Sequence, residues 1–232
     1  MEPYGRPIEE LPGDPWRLSL EYHQRQPLSG VEDQDGLDEW SVSVRVERFR
    51  NRTVGGVVGS LTLFRLRQDE RFSPSPCGDA EGYDRGLFHV VMGCYDLGRG
   101  GYRQEFRDSV TSADGDLLVL WDVRLDPEWR GVGLGPVLAS RALWTLGAGC
   151  GAVAAATTAP VVGDEGRRLS AEEWDRANEK ITALCGSIGF RRRPRPLGYL
   201  LDPATEEARD AREEQRRRYD ALAEAWRAAH RG

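Results

Sequence analysis

Glycine stands at alternate positions in Arg130-Gly-Val-Gly-Leu-Gly135, between a strand-like run and a helix-like run, and this feature constrains the fold more than any other. Leu117 to Leu125 is a continuous apolar strand broken by Asp122 and Arg124, and Asp126-Pro127 ends it. Pro136 to Leu146 places Val137, Leu138, Leu143 and Leu146 among strong helix formers and closes at Gly147. A buried strand that enters a helix through such a turn lets backbone approach a ligand closely. The unpaired amides at the helix N-terminus, with the positive end of its dipole, suit a diphosphate, and Arg130 can add charge-assisted bonds. Two common glycine motifs do not fit. A dinucleotide-binding turn needs its third glycine at 136, where Pro136 stands, and a P-loop needs a Lys-Ser/Thr pair that is absent. Pro136 removes one amide donor but suits a first helical position.

The rest of the chain reads as a mixed α/β protein. Trp16 to Tyr22 alternates like a half-buried strand, and Trp40 to Val46 and Val57 to Leu66 form a hairpin-like pair around the Gly55-Gly56 break. Gln68 to Gly86 is rich in Pro, Gly, Ser and Asp and is expected to be a long surface loop. Leu87 to Phe106 reads as a short helix followed by a loop, because Gly98, Gly100 and Gly101 would break a longer one. Cys150 to Ala156 is a second central strand. Ser170-Ala-Glu-Glu173 is a capping box that opens a helix running to about Ser187 and ending at Gly189, and Tyr199 to Leu201 supplies a last short strand. Thr205 to Ala229 is expected to be helical, with Glu213 to Arg217 and Glu214 to Arg218 spaced i,i+4 and a stripe of Tyr219, Leu222 and Trp226. That stripe docks on its own chain or serves a partner helix, a homodimer included. The resulting division is a loop-rich segment with one strand at 1–38, a domain at 39–203, and a C-terminal helix at 204–232.

Leu125-Asp-Pro-Glu-Trp-Arg-Gly-Val-Gly-Leu-Gly135 resembles the apolar-x-Pro-x-x-Arg-Gly-x-Gly-x-Gly segment of the GNAT superfamily of acyl-CoA N-acyltransferases. Asn178 to Phe190 is similar to that family's Asn-x-x-Ala-x-x-x-Tyr-x-x-x-Gly-Phe segment. The resemblance covers about 117–201 and implies an α/β (α+β) fold, a mixed central sheet flanked by helices, here with the C-terminal helical extension. It further implies acetyl-CoA as acyl donor, its pyrophosphate held by amides of Arg130, Gly131, Val132, Gly133, Leu134 and Gly135. The pantetheine arm would pair with the exposed backbone of Val123, Arg124 and Leu125 where the central strand splays from its neighbour, and Asn178 would contact that arm.

The implied reaction is direct attack of a neutral amine on the thioester, which needs a base, an oxyanion donor and an acid for the leaving thiolate. Cys185 stands where the family has its thiolate-protonating tyrosine; it is either that donor or a small buried helix residue. Ser187 and Tyr199 are substitutes. Asp122 is the candidate base, since a carboxylate on an apolar strand is costly unless paired or functional, and its alternative role is an ion pair with Arg124 on the same face. His23, His89 and His230 lie away from the motif.

Composition narrows the setting. A charged fraction of 30% and no apolar run near the roughly 20 residues that span a bilayer exclude a transmembrane helix. The first residues lack a basic-then-apolar leader pattern, so a cytoplasmic location is expected. Four cysteines without Cys-x-x-Cys spacing argue against a metal site or a disulfide framework. A net charge of −6 disfavours nucleic acid and suits a cationic amine, either a small molecule or a protein.

Overall fold

A computed structural model describes residues 5–24, 36–47, 54–68, 76–96, 98–155, 168–194 and 197–231. The strands are β1 (Leu18–Gln24), β2 (Leu37–Glu47), β3 (Val54–Leu66), β4 (Tyr95–Asp96), β5 (Gly101–Tyr102), β6 (Asp116–Leu125), β7 (Cys150–Ala155), β8 (Arg191–Arg192) and β9 (Tyr199–Leu201). The helices are α1 (Pro76–Tyr83), α2 (Arg85–Cys94), α3 (Gln104–Arg107), α4 (Leu134–Leu146), α5 (Ala171–Ser187) and α6 (Glu206–Ala229). Among the described residues, seven strands form one mixed sheet in the order β1-β2-β3-β6-β7-β9-β8, and helices flank it on both faces. Each neighbouring pair in that sheet is antiparallel except β6 with β7. Parallel pairing needs a crossover, which α4 supplies. No described helix is long and apolar enough to cross a membrane.

Strand alternation divides the core into two layers. Leu61, Leu63, Leu118, Leu120, Val153 and Tyr199 face α4, α5 and α6, together with Leu134, Leu138, Ile188 and Ala208. Phe64, Leu66, Leu117, Val119, Ala152 and Leu200 face the other way, against Leu87, Val91 and Phe106. Full burial of each leucine or phenylalanine contributes about 1.5–3 kcal/mol, so the layers together fix which face each strand residue takes.

Three expectations from the sequence need correction. The stretch expected to be a loop from Gln68 to Gly86 contains α1 and the start of α2. Its turn formers act as caps: the Asp84 carboxylate accepts from the amides of Gly86 and Leu87, and Ala80 is fully buried. The first strand begins at Leu18, two residues later than expected, because Asp14 caps a single 3-10 turn over Pro15–Arg17. Leu18, Leu20 and Tyr22 nonetheless pack on the core as the alternation requires. The stretch after α2, expected to be a loop, holds the short β4–β5 pair and α3 as well.

The C-terminal helix docks on its own chain. The Tyr219 hydroxyl donates to the Pro15 carbonyl, Trp226 Nε1 to the Leu11 carbonyl, and Arg227 Nε to the Asp14 carboxylate at 2.7 Å. Leu222 and Trp226 pack on the core. The expected i,i+4 ion pairs give way to i,i+3 ones, Glu213 with Arg216 and Glu214 with Arg217. Arg218 turns instead toward the glycine-rich segment.

Candidate functional site

The glycine-rich turn starts from a buried anchor. After β6, the Asp126 amide donates to the Val58 carbonyl, a 3-10 turn over Pro127–Trp129 buries the Trp129 ring, and Arg130 Nε donates back to the Leu125 carbonyl. Gly131 and Gly133 then take φ of +88° and +90°, the left-handed region open to glycine at little cost. The alternate spacing seen in the sequence is therefore a conformational requirement at two of its three glycines. Gly135 already lies within the helix.

The helix α4 begins at Leu134 with Gly133 as N-cap, two residues earlier than expected, so Pro136 occupies the third helical position and not the first. The correction leaves its consequence intact, because amides in the first turn have no intrahelical acceptor in either position. Among the described residues no side chain caps this N-terminus, and its first turn holds no acidic residue to meet the positive end of the α4 dipole.

Arginines from two distant parts of the chain flank the turn. Arg6 donates its backbone amide to the Gly131 carbonyl at 3.4 Å, and its guanidinium donates to the carbonyls of Pro127 and Glu128 at 3.2 and 2.9 Å. The guanidinium of Arg218 lies over Gly133 so closely that a methyl group there would fall 2.6 Å from Nη2. Neither residue carries a signal in the sequence for this role. Arg6 sits in an irregular segment, and Arg218 reads as one of several arginines along a charged helix.

Beside the turn, β6 pairs with β7 from Asp116 with Cys150 to Leu120 with Ala155 among the described residues. A bulge marks the same place on the other edge, where Thr62 pairs with Asp122 and Leu63 with Leu120, leaving Trp121 unopposed. A bulge bends its strand. Beyond it, Val123 and Leu125 stay paired to Leu61 and Gly59 of β3. Val123 is half-buried, Leu125 buried and Arg124 exposed.

Asp122 shares a face with Thr62, opposite the α4–α6 layer. Its carboxylate is 2.5 Å from Arg124 Nε, with the two side chains 34% and 60% exposed, so the ion pair considered from the sequence is formed. Cys185 is 1% exposed and belongs to the core, and burial pushes its thiol up to about 12. Such a thiol holds its proton too firmly to give it readily to a leaving thiolate, and the position favours the packing role. Cys94, Cys150 and Cys185 are all free thiols.

Asn178 is half-buried on α5, one turn before Thr182, whose hydroxyl accepts from the Tyr199 phenol at 3.0 Å. Tyr199 pairs with Ala155 on β7. Ser187 donates to the Leu184 carbonyl within its own helix and its carbonyl accepts from Gln215. A half-open recess of about 610 Å3 lies nearby, lined by Asp14, Arg17, Glu47, Asp126, Trp129 and Trp226 among others. None of the site residues expected from the sequence lines it. Among the described residues, no group of three histidines, cysteines or carboxylates is arranged to hold a metal. No protein-family model, no curated protein and no solved structure matches the chain.

Proposed function

We propose that the chain is an acetyl-CoA-dependent N-acyltransferase that transfers an acyl group to an amine by direct attack, as the resemblance to the GNAT superfamily implies. The observation that carries the proposal is the α4 N-terminus. It is entered through two left-handed glycines, has no side-chain cap among the described residues, and lies under the Arg218 guanidinium. A diphosphate there would meet the amides of the first turn and a guanidinium together.

In this reading the amides from Gly131 to Gly135 hold the pyrophosphate with the side chains of Arg130 and Arg218, while the Arg130 amide expected to join them donates to the Pro127 carbonyl. Val123 to Leu125 pair with the arm and Asn178 contacts it. The amine approaches from the Asp122 face. Isothermal titration of acetyl-CoA into the native protein and into Gly133→Glu tests this. Binding by the first and not by the second is expected, and no binding by the native protein refutes the proposal.

A second reading, a CoA-binding module without acyl transfer, is favoured by the burial of Cys185 at the position of the family's proton donor. Release of free CoA thiol on mixing acetyl-CoA with polyamines, aminoglycosides, arylamines or peptides with free N-termini would eliminate it.

A further inference from the structure

We infer that the recess between the N-terminal segment and the ends of β2 and β3 is a second binding site, one that takes a small organic dication: two ammonium groups joined by an apolar stem. Every residue that lines it is among the described ones, and none of them belongs to the cofactor or acceptor assignments above. At about 610 Å3 it has the size of a small-molecule site. Stretches far apart in sequence build it: 12–17, the end of β2 with the start of β3, the turn after β6, and Trp226 of α6.

The apolar walls of the recess come from the core. Trp129 belongs to the buried cluster beneath α4 and α6, and Val46, Val58 and Trp226 pack on it. The Trp129 ring is fixed at 3% exposure, with Gly13 against its edge; a methyl group at 13 would touch Cη2 at 3.4 Å. Trp226 is half-buried and held by the bond from its Nε1 to the Leu11 carbonyl. Indole faces attract cations. That contact already exists beside the recess, where the Arg227 guanidinium lies over the Trp16 ring, 5.1 Å from its centroid.

The charges gather at the mouth. Asp14, Glu47, Asp126 and Glu128 line the recess together with one guanidinium, Arg17. Asp14 is tied to Arg227 at 2.7 Å. Glu47, Asp126 and Glu128 are exposed, and no described group pairs with their carboxylates. Four carboxylates against Arg17 and Arg227 leave two negative charges in excess. An exposed carboxylate alone holds a cation weakly. A diamine meets both excess charges through one stem, and the stem lies along the indole and valine walls, a contact that a bare metal ion cannot make.

The recess is distinct from the acceptor position. Its walls lie on the α4–α6 side of the sheet, whereas Asp122 lies on the opposite face. A ligand here bears on Trp129, which anchors the glycine turn, and on α6, which carries Arg218 over Gly133. Nothing in this recognition requires acetyl-CoA.

Calorimetric titration of the whole chain at low ionic strength, without acetyl-CoA, uses cadaverine, pentylamine, pentanediol and magnesium ion as probes. Cadaverine is expected to bind at a single site about tenfold or more tightly than pentylamine, as one further charge-assisted bond implies, with pentanediol and magnesium ion weaker still. Glu47→Gln combined with Glu128→Gln removes two exposed carboxylates, and Val57→Lys sets a tethered ammonium at the mouth from a residue 49% exposed. Each should weaken cadaverine binding about tenfold or more, with a melting temperature within about 2 °C of the native protein, as surface changes give. Magnesium ion or pentylamine binding as tightly as cadaverine would reduce the recess to a patch of surface carboxylates and overturn the inference. Cadaverine binding that both variants leave unchanged places the diamine elsewhere and overturns it too, as does absence of cadaverine binding. None of these outcomes involves acetyl-CoA, so the acyltransferase reading stands or falls separately.

Discussion

Replacing Gly133 and Gly135 separately by alanine separates backbone conformation from helix propensity at one site. At Gly133 the backbone has φ of +90°, and the added methyl would meet the Arg218 guanidinium at 2.6–2.9 Å. The left-handed conformation costs an L-residue about 1–2 kcal/mol. The guanidinium is the far end of a flexible side chain and can move aside, so the clash adds mainly the loss of its seat. At Gly135 the methyl would find only Leu184 Cδ1 at 3.8 Å, an ordinary contact, inside a regular helix. Alanine gains about 0.5–1 kcal/mol over glycine there. For a domain of this size each kcal/mol moves the melting temperature by roughly 2–4 °C, so Gly133→Ala should melt roughly 2–8 °C lower and Gly135→Ala roughly 1–4 °C higher than the native protein. Thermal melts followed by circular dichroism without ligand measure both. Equal stability of Gly133→Ala and the native protein, or a loss at Gly135 like that at Gly133, would show that the turn does not have this geometry.

Arg218→Gln should weaken acetyl-CoA binding by about tenfold or more in calorimetry, as loss of a charge-assisted bond to an anion does, with a smaller loss at high salt. Asp122→Asn should change stability by less than about 1 kcal/mol in denaturant unfolding, because its pair with Arg124 is largely exposed; a fall in kcat of about 100-fold alongside would assign it as the base, and unchanged turnover would leave it as the ion pair alone. Removing residues 205–232 should abolish cooperative unfolding and not merely dissolve an oligomer, since Ala208, Gln215 and Ala223 are buried; a sharp melt of the shortened chain would contradict this. The Cys185 thiol is raised from 9.0 to about 12 by burial, so its contribution is fully present below pH 9, where both states hold the proton. It is lost as pH rises from 9 toward 12, where the unfolded chain ionises first, by about 1.4 kcal/mol per pH unit. Cys185→Ala should flatten the fall of stability over that window, and an unchanged slope would place the thiol in water.

The parts of the fold that were legible are those where local pattern and burial agree. Leu117 to Leu125, Cys150 to Ala155 and the Ser170–Glu173 capping box read directly because an apolar run, small residues and a reciprocal cap each have one good structural solution. Asp84 and the weak helix Pro76–Tyr83 did not, since glycine and aspartate mark loops by composition and caps only by context. The site divides in the same way. Gly131 and Gly133 announce themselves by spacing. Arg6, Arg218 and the Tyr199–Thr182 pair come together only through tertiary packing, and the bulge at Trp121 depends on the register of β3.

The seat of the N-terminal segment carries a consequence for biosynthesis. Its anchors lie almost a full chain length away: Trp226 for Leu11, Arg227 for Asp14, Tyr219 for Pro15, with separations of 215, 213 and 204 residues. While the ribosome adds roughly 5–20 residues per second, Leu11, Asp14 and Pro15 are made well before their partners on α6. Arg6 can reach its seat on Pro127, Glu128 and Gly131 sooner, whereas the Arg218 flank of the glycine turn waits for α6. A nascent chain stalled before Glu206 would therefore carry the central sheet with the Gly133 side of the turn open and Leu11 to Pro15 without their α6 anchors.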